Sequence, residues 1–250
     1  MPDLCQPPFN TTLMGVVQGA LNHFRAGVDP EQAFVWSGHA FLLNIHRTLC
    51  PSGPYCWNQD PFFERLRFLG LEVTVLGSVD HEDVSAKKRM ESTLLEAMSR
   101  GSVCSVLSME HQLVLGVEEK RLHLARPWGE NDVTPPWLTR GNWKEARQAP
   151  CLMFLEFTPC RPERVGFCEW GMLFGIAAWN DENHLRKDSA YAVGAQGFRY
   201  WHEALCSERC EDLGSCWNAM VWTECRSMAS RYFGALERDH DHQTMPSRVC

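Results

Sequence analysis

With 250 residues, 44% of them hydrophobic and 22% charged, the chain carries enough apolar material for a packed core, so disorder is not the expectation. A net charge of -7 without a Lys/Arg block argues against nucleic acid as a partner, and against an anionic membrane surface, because both require concentrated basic charge. Twelve cysteines lie scattered behind an amino terminus, MPDLCQPPFNTTL, that has no signal-peptide core; they read as reduced thiols of a cytoplasmic protein, and no run approaches the ~20 apolar residues of a membrane span.

Asn10, Thr11 and Thr12 offer helix-capping oxygens. Leu13, Val17, Leu21 and Phe24 then recur at helical spacing until Gly27, which predicts a first amphipathic helix. Asp29 and Pro30 open a short helix through Phe34. AFLLNIH reads as a strand or buried extended segment, and CPSGPYCWN as a turn-rich loop. Asp60 and Pro61 start a helix that Gly70 closes, LEVTVLG follows as a strand, and a charged helix runs from about 82 to 100 with Met90, Leu94 and Met98 on one face. The texture then turns to β: VCSVLS, HQLVLGVE and RLHLARPW are short apolar or alternating runs, the last two forming a hairpin. CLMFLEF is a further strand beyond the loop NDVTPPWLTRGNW. After Pro162 the reading is helical, in blocks near 163–179, 188–206 and 213–237, with no strand. The chain is thus expected to be α+β, with a core over 1–160, a helical unit over 161–238 and a flexible polar tail over 239–250.

His111 opens the strand HQLVLGVE, and the hairpin returns the chain beside it at Arg126, Pro127, Trp128 and Gly129, a layout that suits a general base and an orienting partner. A strand histidine with only local hydrogen bonds is the alternative. Between Trp36 and Trp57 the reactive residue types concentrate. His39 and His46 are seven apart, which on a strand puts them on opposite faces, and Cys50 and Cys56 are spaced more widely than a zinc knuckle. Ser37-Gly38-His39 reads as a tight turn that places His39 near the start of the first helix, either facing a ligand or satisfying buried carbonyls. A zinc site from His46, Cys50 and Cys56 stays open. Cys206, Cys210, Cys216 and Cys225 are the densest thiol group; two helices could bring them together on a metal, but they show no CxxC spacing and free thiols are common core fillers, and His240-Asp241-His242 is a weak surface metal motif or simply solvated. The ten tryptophans either wall a pocket or staple the helices.

A helix start at Thr12-Leu13-Met14-Gly15-Val16, the run EHQLVLGVEEKRLHLARP around His111 and the later stretch YAVGAQGFRYWHEAL together resemble the papain-like cysteine peptidase fold. More narrowly they resemble the C39-like peptidases and the amino-terminal domain of butirosin biosynthesis protein H, an acyltransferase. The resemblance implies a papain-like core, a nucleophilic cysteine at the position of Met14, a base at His111, and an Asp or Asn at the position of Arg126. A thioether has no proton to lose, and a guanidinium opposes an imidazolium, so Cys-His acyl transfer is not expected. Thr11, Thr12 and Cys5 are the substitute nucleophiles at hand. The expectation is therefore a degenerate core that binds a small acyl, amide or amino-sugar-like ligand through Met14, Gly15, Ser37, His39, Arg126 and Trp128. The alternatives are an active acyltransferase or amidohydrolase with a relocated nucleophile and His111 as base, or a metal protein. No cofactor is expected, and a homodimer is allowed.

Overall fold

A computed structural model of the chain describes residues 4–80, 82–129, 134–146, 151–162, 167–181, 184–207 and 212–244. They form two compact units, each assembled from two pieces of chain: Met1–Val28 with Phe63–Glu163, and Asp29–Phe62 with Arg164–Cys250. The architecture is α+β. Asp29–Phe62 thus groups with the carboxy-terminal helices.

The first unit is built on a six-stranded antiparallel sheet. Its strands are β2 (Leu71–Asp80), β3 (Val103–Leu107), β4 (His111–Val117), β5 (Arg121–Leu124), β6 (Trp137–Thr139) and β7 (Cys151–Pro159), in spatial order β2-β7-β3-β4-β5-β6. The predicted hairpin is β4–β5, with a register shift between Val114 and Gly116. β6 falls inside the stretch read as loop, where it pairs Trp137 with His123 and Thr139 with Arg121. Side chains alternate across the sheet, so one face carries Cys104, Val106, Val114, Leu152 and Phe154. Helix α4 (Val84–Ser99) covers that face with Leu94 and Ala97, both fully buried, flanked by Met90 and Met98. Asp83 caps it, its carboxylate accepting from Ala86 N at 2.8 Å. Glu91 on this helix also holds the turn after β6, accepting from Gly141 N at 2.7 Å and Arg140 Nε at 3.0 Å.

Leu113 and His111 have the opposite parity, and α1 (Thr12–His23) packs against β4. Glycines shape this contact. A Cβ on Gly19 would stand 2.5 Å from Leu113 Cδ1 and 2.6 Å from Cys5 O, and one on Gly15 would stand 3.1 Å from Pro7 O. The two glycines, one helical turn apart, thus make the groove in which residues 5–7 of the amino-terminal arm lie. From that arm Gln6 reaches β4: its Nε2 donates to His111 O at 2.8 Å and its Oε1 accepts from Leu113 N at 2.9 Å. β5 ends at Leu124, opposite Val114, so the glutamine amide continues the ladder that β5 leaves unfinished.

In the second unit α2 (Pro30–Trp36) begins with Pro30 at its first position, and Gln32 Oε1 accepts from Asp29 N at 3.0 Å. The helix ends at Ser37-Gly38, where a φ of 84° at Gly38 turns the chain into a 3-10 turn over His39–Phe41. AFLLNIH is therefore split: only β1 (Asn44–His46) is a strand, and it pairs antiparallel with β8 (Tyr191–Val193). β8 corrects the expectation of a strand-free carboxy-terminal half. A three-residue strand has no period of its own, and β8 exists because β1 supplies its partner. Helices α5 (Phe167–Trp179), α6 (Gly194–Cys206) and α7 (Asp212–Thr244) complete the unit, with α7 running beyond the point near 237 where the sequence turns polar. The chain crosses between the units within α3 (Asp60–Arg65). No helix among the described residues is long and apolar enough to cross a membrane.

Candidate functional site

The resemblance puts a nucleophile and a base at the start of α1 and the start of β4. The structure does bring these elements together, through Thr12: its Oγ1 donates to Glu110 Oε2 at 2.7 Å and accepts from His111 N at 3.1 Å. Met14 and His111 are both fully buried, and Thr12 is as well. Burial alone pushes the His111 imidazole down from 6.5 to about 3, so it is neutral at ordinary pH and a poor proton acceptor. Gly15 faces the arm, as described above. Arg126 is exposed and Trp128 half-buried in the turn after β5. Of the substitute nucleophiles, Cys5 is exposed and Thr11 is buried at the helix cap without a side-chain capping bond. The place where the resemblance expects a reactive thiolate thus contains a thioether, a hydroxyl bonded to a carboxylate, and a sealed imidazole.

His39 and Ser37 lie in the second unit. His39 is 1% exposed, enclosed by Phe34, Trp57 and Phe62 with ring centroids 5.4 to 6.0 Å away, and stacked on Trp222 at 21°. Its Nδ1 is 3.5 Å from the sulfur of the buried Cys225. A thiol next to an imidazole is the pairing that nucleophilic catalysis uses, but both groups here lie inside an aromatic core, and such buried thiols are inert.

The CPSGPYC loop forms a hydroxyl–thiol chain. Ser52 Oγ donates to Cys50 Sγ at 3.0 Å and lies 2.9 Å from the Tyr191 hydroxyl, and burial, with Cys56 beside it, raises the Tyr191 pKa. His46 Nδ1 is engaged with Thr48 Oγ1 at 3.0 Å. Asn218 of α7 braces the loop, donating to Cys50 O at 3.2 Å and to Gly214 O at 2.8 Å while accepting from Trp222 Nε1 at 3.3 Å. Among the described residues no three His, Cys, Asp or Glu side chains group to hold a metal ion, and that holds for His46 with Cys50 and Cys56. Cys206 and Cys216 are exposed while Cys225 is buried. Cys210 and the side chains of His240, Asp241 and His242 lie outside the described residues.

An open cleft of the second unit lies elsewhere. Phe41, Met172, Gly175, Ile176, Trp179, Phe198 and Arg226 line a cleft of about 540 Å³. Gly175 lets α5 lie close to Phe41, since a Cβ there would meet the Phe41 Cβ at 2.6 Å. Trp179 and Phe198 form one wall, with ring centroids 5.7 Å apart. Six of these seven residues are apolar or glycine; the seventh is the half-buried guanidinium of Arg226, whose Nη1 donates to the carbonyls of Ala40 and Leu42. Burial lowers the Arg226 pKa. None of these residues was singled out as a site from the sequence except Trp179, as one of the tryptophans. A signal was present: FCEWGMLFGIAAW is apolar on nearly every face, yet Trp170, Met172, Leu173, Ile176 and Trp179 are 40–58% exposed. An all-round apolar helix is expected to be buried, and one that is half exposed marks a binding surface. Neither a family model nor a curated protein matches this chain.

Proposed function

We propose that the chain is a non-catalytic protein with a degenerate papain-like core, and that it binds a small acyl or amide ligand in the apolar cleft of its second unit. The observation that carries this reading is the contrast between two places. His111, the candidate base, has no exposed surface and a depressed pKa, whereas the cleft is open, about 540 Å³ in volume and, in its described lining, apolar apart from one guanidinium. Pockets of this size and lining are those that take small organic ligands. An amino-sugar cation fits less well, because among the described residues the single charge lining the cleft is positive. The test is calorimetric titration with acyl amides of increasing chain length, alongside a turnover assay with the corresponding activated esters. Binding that strengthens with chain length and no turnover above buffer is the expected result.

The competing reading, an acyltransferase or amidohydrolase with a relocated nucleophile and His111 as base, draws on the thiol–imidazole contact between Cys225 and His39 only as a precedent for such a pair in this chain. Rapid labelling of a single cysteine by an electrophilic thiol probe, abolished in His111→Ala, would establish it at the expense of the binding-only proposal.

A further inference from the structure

We infer that the cleft selects an aliphatic carboxylate, with the acyl chain against Met172, Ile176, Trp179 and Phe198 and the carboxylate on Arg226; this rests on the reading of that cleft as the ligand site. The argument starts from the charge. Arg226 stands half-buried among apolar side chains, and among the described residues no carboxylate pairs with it. A guanidinium removed from water without a counter-charge is costly, and an anion brought to it recovers part of that cost.

Orientation points the same way. The carbonyls of Ala40 and Leu42 both hold Nη1. They fix the plane of the guanidinium and, among the described residues, leave Nε and Nη2, the adjacent donors that grip a carboxylate side-on through two parallel hydrogen bonds. Among the described residues the rest of the lining offers no second charge to an alternative headgroup. Size permits such a chain: allowing each heavy atom roughly the 30 Å³ that one water occupies in the liquid, dodecanoate needs roughly 420 Å³, which the cleft of about 540 Å³ accommodates. Ile176 is 58% and Trp179 48% exposed, so the chain would cover side chains that now face water.

The experiment is isothermal titration of the full chain at pH 8 with dodecanoate and with methyl dodecanoate, both below micelle-forming concentrations. Location is read from quenching of Trp179 by a chain-brominated dodecanoate and its reduction in Trp179→Phe. The acid should bind at least about tenfold more tightly than the ester, the usual margin of a charge-assisted pair over a neutral one. Arg226→Gln should bring the acid down to the affinity of the ester, Arg226→Lys should retain part of the preference, and Ile176→Arg, which leaves Arg226 in place, should block both ligands. Equal affinity for acid and ester in the native chain overturns the carboxylate inference and leaves acyl binding standing. Failure of both ligands to bind overturns the two together. Concentration-dependent dimerisation that excludes dodecanoate and is abolished by Ile176→Arg assigns the cleft to a second copy and likewise overturns the inference.

Discussion

His111 gives the sharpest quantitative test, because its burial ties the stability of the sheet unit to pH. The ring has no exposed surface, and burial holds its pKa at about 3 against 6.5 in the unfolded chain. Between these values the unfolded state binds one proton that the folded state does not, so unfolding takes up a proton. The stabilisation is complete above pH 6.5 and is lost as pH falls towards 3. The slope is at most about 1.4 kcal/mol per pH unit, which amounts to about 2–3 kcal/mol between pH 6.5 and 4.5. The perturbation is His111→Gln, which introduces a polar side chain of similar length that does not titrate. The assay is urea denaturation at several pH values, followed by pulsed hydrogen exchange of the peptide spanning β4 at a fixed labelling pH. The substitution shifts the absolute stability by its own packing cost, but only the difference in pH slope is read. Parallel stability curves for the two chains would refute the claim that a sealed, neutral imidazole sits there, and with it the argument against His111 as a base.

Three further outcomes are expected. Gln6→Ala removes the amide that completes the β4 ladder and strands two buried backbone groups, His111 O and Leu113 N, so the sheet unit should lose about 1–3 kcal/mol in the same urea assay; an unchanged midpoint would mean that the arm does not dock. Asn218→Leu leaves the carbonyls of Cys50 and Gly214 and the Trp222 indole N–H without their amide partner, and should cost about 2–4 kcal/mol, read as faster proteolysis within the CPSGPYC loop. In native chain at pH 8 a disulfide-exchange reagent should modify exposed Cys5, Cys206 and Cys216 within minutes and spare Cys104, which is fully buried and whose thiol burial pushes up to about 12; mass mapping of early label on Cys104 would contradict its place under α4.

Local chemistry made several elements legible in advance. Leu13, Val17 and Leu21 recur at helical spacing, and all are buried on α1. Asp83 caps α4, and Met90, Leu94 and Met98 do share one face. Gly70, at φ 89°, ends the turn after α3 as its type predicted. Where the signal was nonlocal the reading fell short. β6 and β8 are three residues each, too short for an alternating pattern, and each is defined by the strand it pairs with. The Gly15–Gly19 groove shows its purpose only once the arm lies in it.

The candidate site divides in the same way. Composition and residue identity alone established the absence of a Lys/Arg block, the thioether at Met14 and the guanidinium at Arg126, because these are properties of single side chains and their order. Whether a reactive residue is reachable is a property of what surrounds it. His39 and Cys225 are 186 residues apart in the chain and meet in an aromatic core; Phe41, Ile176, Phe198 and Arg226 come from four separate elements and meet in a cleft. Burial and convergence depend on contacts between distant segments, so only the tertiary structure decided that His39 and His111 are sealed and that the opening is lined by the 3-10 turn at Phe41 together with α5, α6 and α7.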